Sequence, residues 1–477
     1  MQLRPTQSSS YAQVQRGLLL NLTQLARAQQ QIASGLRLER PSDDPESAAR
    51  ALSWARQLAG AERYSTAAQT GRERLDLAAT RLQDSADILT EARALLVQGM
   101  NGTLSAGDRA VLADQVRILR ERLLENANAS GPEGALFGGT AGGRTPPFAS
   151  ATVSGRERVT YGGDGQSPEL LVGEELLVPV GLPGSEVFAR VQRTGTHYSG
   201  FTGVTGGEGG DAGRGFAHLS LRHDGTSGTL AAGLAFVAGA PDTILGAHTL
   251  VVDAAQRTVQ LDGGKPLALP PAGDPGLSDV SVLNEHGAEL HLDFSGWTGA
   301  DLTATVDGAG SISLDGGSWV ALDFAADDLE LFDEATGTRL SVDTRGIHRA
   351  GSELVVFGGA VNAFDTLQGI ADDLADLDGL PAGALQDRLT LWLSELDRNH
   401  GDVVAGLGVL GGRSARLDGV LERLADEATD LSGRRSALVD TDYSQAALEL
   451  ARAEQTLQMT QATGSRLLST TLLDFLR

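Results

Sequence analysis

The sequence contains no cysteine. Disulfide frameworks, cysteine-ligated zinc, iron–sulfur clusters and thiol catalysis are therefore excluded. The compartment stays open, because a secreted chain need not carry disulfides. Aromatic residues make up 4% of the chain, too few to line large aromatic pockets. Positive charge is also scarce: 38 Lys plus Arg face 62 Asp plus Glu, for a net charge of -24. A nucleic-acid binder gathers cations to displace counterions, so this balance argues against one. Long apolar runs are missing too. Near the start the longest is Gly17-Leu18-Leu19-Leu20, and Asn21 ends it; a bilayer span needs roughly 18 or more apolar residues. The first 16 residues are polar and carry no hydrophobic stretch followed by a small-residue cleavage pattern. Export by the general secretory route is not signalled.

What is present is a chain of 477 residues, long enough for two to four domains. A hydrophobic fraction of 41% supplies a core. Composition changes twice along it. Residues 1–145 are rich in Ala, Leu, Gln and Arg, 146–350 in Gly, Thr, Val, Ser and Asp, and 351–477 again in Ala, Leu, Asp, Glu and Arg. The plan is helix, sheet, helix.

In the first stretch Leu18, Leu22, Leu25 and Ile32 fall at heptad-like spacing, with Gln29 as the polar exception. Pro41 and Pro45 then break the helix. Asp44 is placed to cap the next one, with Pro45 at its first position. That helix is expected to reach roughly Gly99 along a stripe of Leu75, Ala79, Leu82, Ala86, Leu89 and Leu96, with room to bend at Gly60 and Gly71. Asn101-Gly102 marks a turn, and Ser105 with Asp108 opens a further helix. In the middle stretch, period-two runs at 249–252, 258–261, 289–294 and 311–314 stand beside Asp-Gly-Gly turns and read as hairpins. The six glycines between Gly203 and Gly213 read as a loop. In the last stretch Leu410, Leu417, Leu421, Leu424, Ala428, Leu431 and Leu438 form the clearest heptad, and Asp442 or Thr441 caps a final helix ending in an apolar terminus. Each helical end is too thin to bury its stripe alone. The expected fold is therefore α+β: an elongated antiparallel helical bundle or coiled-coil rod built from both chain ends, with an inserted mostly-β region of one or two domains.

The motifs of catalysis are absent. There is no phosphate-binding Gly-x-x-x-x-Gly-Lys-Ser/Thr loop, no dinucleotide fingerprint after a strand, no Gly-x-Ser-x-Gly and no His-Glu-x-x-His. His218 and His223, like His286 and His291, stand five apart, which puts neither pair on one strand face. Asp372, Asp373, Asp376 and Asp378 do not follow calcium-loop spacing and read as a solvated helix face. No catalytic residue, metal ligand or cofactor is expected.

The segment Gln31-Ile32-Ala33-Ser34-Gly35-Leu36-Arg37-Leu38-Glu39-Arg40-Pro41-Ser42-Asp43-Asp44-Pro45 resembles the N-terminal signature of the bacterial flagellin superfamily. Three further stretches bring the likeness nearer to its hook–filament junction branch. They are Asn101-Gly102-Thr103-Leu104-Ser105 continuing to Ala113; Leu136-Phe137-Gly138-Gly139 followed by Pro147-Phe148; and Phe364-Asp365-Thr366-Leu367 with Asp440-Thr441-Asp442-Tyr443. The likeness covers about residues 1–148 and 350–477.

The resemblance implies a structural, non-enzymatic subunit of the flagellum, joining hook to filament in a ring. It implies secretion through the flagellar export channel on an uncleaved signal. The implied partners are other copies of the chain, the neighbouring hook-associated protein, filament-side flagellin and an export chaperone at the C-terminal helices. Pro41, Ser42, Asp43, Asp44 and Pro45 would fix the reversal between the first helices. Leu18, Leu22, Leu25 and Ile32, with Leu450, Leu457, Leu467, Leu472, Leu473, Phe475 and Leu476, would form the assembly face. Plain intramolecular packing is the alternative for those side chains. The alternatives for the whole are a filament flagellin and a non-flagellar coiled-coil surface protein or adhesin.

Overall fold

The computed structural model describes residues 7–475 apart from 142, 144, 154–155, 231–232, 377–378 and 381. The chain is α+β, with long helices from both ends and a mostly-β middle. Three helices come first: α1 (Gln7–Ser34), α2 (Pro45–Gly99) and α3 (Ala106–Ala127). α2 is continuous across Gly60 and Gly71. Three small antiparallel pairs follow: β1 (Ser130–Gly131) with β2 (Gly134–Ala135), β3 (Phe148–Val153) with β4 (Arg156–Tyr161), and β5 (Glu169–Leu171) with β6 (Leu177–Pro179). A single turn, α4 (Gly184–Val187), precedes the main β region.

That region contains β7 (Thr196–Ser199), β8 (Thr205–Gly206), β9 (Phe216–Gly228), β10 (Ala235–Phe236), β11 (Gly246–Asp253), β12 (Thr258–Leu261) and β13 (Leu267–Ala268). It continues with β14 (Val280–Leu283), β15 (Glu289–Asp293), β16 (Leu302–Leu314), β17 (Val320–Ala321), β18 (Leu329–Asp333), β19 (Thr338–Asp343) and β20 (Gly351–Phe357). Three helices close the chain: α5 (Ala363–Leu374), α6 (Ala382–Val439) and α7 (Tyr443–Phe475).

The largest sheet has the order β13-β12-β11-β16-β9-β20-β7, with β17 also paired to β16. Two three-stranded sheets, β10-β15-β14 and β18-β19-β8, accompany it. The pairings are antiparallel. The Asp-Gly turns foreseen from sequence have positive φ at both central residues, +47° and +73° at Asp262-Gly263 and +49° and +73° at Asp315-Gly316. That backbone suits strand reversal and explains why Asp and Gly stand there. The glycine-rich run from Gly203 is not wholly loop: β8 lies inside it and pairs with Val342 and Asp343 of β19. Backbone pairing there needs no side-chain pattern, which is why alternation did not reveal it. The register of β16 on β9 shifts between Ala309 and Gly310. A Cβ at Gly310 would sit 2.6 Å from the Arg222 carbonyl, so glycine is required at the irregularity.

The chain packs as two units. One holds the residues up to Thr70, Leu170–Val178, and those from Arg416 onward. Its buried side chains include Ala51, Ala61 and Ala68 on α2 and Leu417, Val420, Leu424 and Leu431 on α6. The other holds Gly71–Glu169 and Pro179–Ala415. There Leu75, Leu82, Leu89 and Leu96 of α2 repeat every seven residues and are buried with Leu112, Val116, Leu119 and Leu123 of α3 and Leu389, Leu396 and Val403 of α6. Ser105 caps α3 with the reciprocal Ser–Asp108 hydrogen bonds of a capping box. Among the described residues, the β region of this unit holds one hydrophobic cluster centred on Leu250, Val282 and Leu292 and another on Leu219, Leu340 and Val355.

Candidate assembly surface

In the first unit α1 and α7 run antiparallel. Gly35 meets Tyr443 at one end, Asn21 donates to Thr460 Oγ1 at 2.9 Å further along, and Val14 packs at Gly464. Small residues set this approach, since Ala28, Ala446 and Ala453 are the buried side chains of the pair among the described residues. The register is fixed where two chain reversals dock. Gly35, at φ +73°, ends α1 in the left-handed conformation that terminates helices. The chain then lies against the end of α6: Arg37 N donates to Val439 O at 2.7 Å, and Thr441 N donates to Gly35 O at 2.9 Å. The Arg37 guanidinium donates to Leu438 O at 3.1 and 2.6 Å. It thereby satisfies a carbonyl that the terminus of α6 leaves without a helical partner.

The Pro-Ser-Asp-Asp-Pro turn completes this corner. Asp43 accepts from Arg40 N at 3.0 Å, and Asp44 accepts from Ser47 N at 3.1 Å, capping α2 with Pro45 as its first residue. Hydrogen bonds from Ser47 hold the Asp44 carboxyl below its ordinary value, and Arg37, 3.8 Å away, adds to this. Across the corner, Asp442 caps α7 by accepting from Ser444 N and Gln445 N at 2.9 and 3.2 Å.

Pro41, Ser42, Asp43 and Pro45 are exposed and Asp44 half-buried. Leu18, Leu25 and Ile32 are half-buried on α1, whereas Leu22 is 42% exposed. Leu450 and Leu457 are half-buried on α7. The side chains of Leu467, Leu472, Leu473 and Phe475, and Leu476 altogether, lie outside the described residues, as does Asp378. Sequence reasoning missed Arg37 as the link between the corners. Its partner is a backbone carbonyl 401 residues away, which leaves no mark in local sequence. Leu19 and Leu20 are also exposed, at 63% and 64%, with Leu448 at 51% and Met459 at 65%.

The second unit holds a hub that gathers stretches distant in sequence. Phe148 lies 5.0 Å from Phe364 and 5.7 Å from Phe188, and Phe188 lies 5.5 Å from Phe137 (ring centroids). Tyr161 closes it, donating to Phe137 O at 2.9 Å. Next to Phe364, buried Asp365 accepts from Val159 N at 3.1 Å while Asn362 caps α5. Burial lifts the Asp365 carboxyl above its ordinary value, against the pull of Arg158. Phe137 thus packs in this hub, whereas Phe357 belongs to the β-region cluster with Val355.

Among the described residues, no group of three or more His, Asp or Glu is placed to hold a metal ion. His286 stacks on His348 at 4.2 Å, and His291 faces Asp279 and Glu289. Among the same residues, no helix is long and apolar enough to cross a membrane.

Comparison with known proteins adds to this geometry. Residues 6–139 match the family model of the bacterial flagellin N-terminal helical region. That stretch of the chain is similar to the helical region of bacterial flagellins. It is 28% identical over 178 residues to flagellar hook-associated protein 3 of Escherichia coli K12, covering 37% of this chain and 54% of that protein. It is 25% identical over 186 residues to flagellar hook-associated protein 3 of Salmonella typhimurium LT2, covering 39% and 57%. The chain thus spans a little over half the length of these curated relatives. A crystal structure of FlgL from Xanthomonas campestris aligns over 80% of this chain and 99% of its own, at 18% identity and a TM-score of 0.43.

Proposed function

We propose that this chain is a structural subunit of the flagellum that joins hook to filament, adding its α1–α7 pair to a ring of like subunits outside the cell. The observation that carries the reading is the set of large apolar side chains left in water on that pair: Leu19, Leu20, Leu22, Leu448 and Met459. Covering one such side chain fully is worth about 1.5–3 kcal/mol, so docking of neighbouring helices has a ready source of free energy. The likeness to two proteins named hook-associated protein 3 supports the junction position.

In this reading residues 1–145 and 351–477 are the assembling segments and 146–350 the β-rich insertion. Leu18, Leu25, Ile32, Leu450 and Leu457 fix the pair. The partners are further copies, the hook-associated protein on the hook side, flagellin on the filament side, and before export a chaperone on α7.

Purified protein mixed with purified hooks and viewed by electron microscopy tests this. It should occupy hook ends and then accept filament subunits. Binding to neither refutes the reading, and growth of long filaments from the purified chain alone replaces it with that of a filament flagellin.

A further inference from the structure

The reversal between α2 and α3 carries the one Asn-Gly pair in the sequence, Asn101-Gly102. Asn101, Gly102 and Thr103 are all exposed. The Asn101 side chain folds back over its own backbone in an Asx turn. Its Oδ1 accepts from Thr103 N at 3.2 Å and from Thr103 Oγ1 at 3.0 Å. The main chain on either side is pinned, since Asn101 N donates to Gln98 O and Leu104 N donates to Asn101 O, both at 3.1 Å. Among the described residues, neither the Gly102 N–H nor Asn101 Nδ2 has a hydrogen-bond partner. Space around Gly102 is open: a Cβ built there would meet nothing within 4 Å.

These are the parts of an intramolecular acyl transfer. The Asn101 amide is the electrophile, and the next backbone nitrogen is a nucleophile that no side chain shields. The Thr103 hydroxyl and N–H are two donors aimed at the oxygen where negative charge would develop.

We propose that Asn101 is a self-modification site, at which the chain converts its own side-chain amide to a carboxylate with Thr103 supplying the oxyanion hole.

Hydroxide takes the Gly102 amide proton, and the nitrogen lone pair attacks Asn101 Cγ to close a five-membered ring. The carbonyl electron pair moves onto Oδ1, where both Thr103 donors stand at hydrogen-bond distance. Donors placed before the charge forms stabilise it without reorganisation. The pair then returns, the Cγ–Nδ2 bond breaks, and the nitrogen leaves as ammonia after taking a proton from water. Water opens the resulting succinimide at either carbonyl, giving aspartate or isoaspartate. The sum is asparagine plus water giving the acid plus ammonia. The other asparagines lack one or more of these parts. Asn284 Oδ1 also accepts from two backbone donors, His286 N at 3.0 Å and Ala288 N at 2.8 Å. That residue is only 6% exposed, however, Glu285 follows it, and its Nδ2 is held by Asp262 at 3.2 Å. Asn128 is tied at both ends of its amide to the Phe148 backbone, at 2.9 Å each, and Asn399 is 1% exposed.

The test is a time course on the full-length protein in mildly alkaline buffer, followed by trypsin digestion. Peptide 94–109 carries Asn101 between Arg93 and Arg109. Mass spectrometry reads the change from amide to acid, and chromatography separates aspartate from isoaspartate. Conversion should concentrate at Asn101 and spare the other six asparagines. It should run faster in the folded chain than in isolated peptide 94–109, where the turn is not held. Thr103→Val should slow the folded chain about two- to tenfold, the worth of one hydrogen bond, and leave the isolated peptide unchanged. Thr103→Ser keeps the hydroxyl and should keep the wild-type rate, while Gly102→Ala should slow conversion in both chain and peptide. Conversion in the folded chain no faster than in the peptide, or a Thr103→Val chain that converts at the wild-type rate, would overturn the proposal.

Discussion

Gly369 on α5 gives the sharpest test of how the second unit is packed. Alanine in a helix interior normally stabilises by about 0.5–1 kcal/mol over glycine. Here a Cβ would lie 2.2 Å from Trp392 Cζ2 and 2.5 Å from Cη2. The indole cannot swing aside freely. It is fully buried, its Nε1 donates to Asp373 Oδ2 at 2.5 Å, and its ring meets Phe216 edge-on at 5.3 Å. Asp373 is held in turn by Arg388 at 3.2 Å. Overpacking of this kind costs about 1–3 kcal/mol, and straining a hydrogen bond to a charged acceptor adds about 1.5–3 kcal/mol if it breaks. Gly369→Ala should therefore destabilise by about 2 kcal/mol after the helix gain is subtracted. Trp392→Phe removes the ring atoms that clash, so the double variant should be more stable than the sum of the two singles by at least about 1 kcal/mol. Urea unfolding followed by exchange of peptides spanning 363–396 provides the assay; at a slope of about 2 kcal/mol/M, the single variant shifts the midpoint by about 1 M. An unchanged or raised midpoint for Gly369→Ala, or simple additivity in the double variant, would show that the contact with Trp392 does not control packing.

Three further expectations follow from single groups. Phe188→Ala, at the centre of the aromatic hub, should cost about 3–5 kcal/mol in urea unfolding, and a loss below about 1 kcal/mol would mean the hub is loosely packed. Asp44→Ala should speed amide exchange at residues 46–50. The wild type should show the same loosening in acid, because a carboxyl held low stabilises above its ordinary value and ceases to as pH falls through the folded value; equal rates in variant and wild type would remove Asp44 as the cap. Burial lifts Glu353 above its ordinary value of 4.5, so its contribution is largest below that pH and falls as pH rises through the folded value. Glu353→Gln keeps an acceptor for Thr202 N and Oγ1, now at 2.6 and 2.7 Å. Calorimetry should show a smaller decline in Tm between pH 4.5 and 7.5 in this variant than in the wild type.

Local chemistry was the legible part of the sequence. Asp44, Ser105 and Asp442 each announce a helix start because a cap depends on residues within one turn. The seven-residue repeats of Leu75 to Leu96 and of Leu410 to Leu431 declare their buried faces in the same way. The Asp-Gly pairs at 262–263 and 315–316 reveal turns because few residues tolerate that backbone. What stayed hidden depends on separation. Arg37 reaches a carbonyl of α6, Phe137, Phe148, Phe188 and Phe364 meet from four segments, and His291 finds Asp279 only once β14 and β15 pair. β8, two residues long, has no pattern to read. Among candidate surface residues, the heptad spacing marked Leu22 but not its exposed neighbours Leu19 and Leu20, since spacing tells which residues share a face and not whether anything covers it.

The docking of Arg37 on the end of α6 has a temporal consequence. The partner of α1 is made long after it: Gly35 and Thr441, joined by a backbone hydrogen bond, lie far apart in the chain. At a synthesis rate of about 5–20 residues per second, the first helix waits roughly 20–80 seconds before its companion exists. Closing so long a loop is also slow compared with local helix formation. A growing chain therefore carries α1 unmated until α7 has been made, and any truncation that removes α7 leaves that helix permanently single.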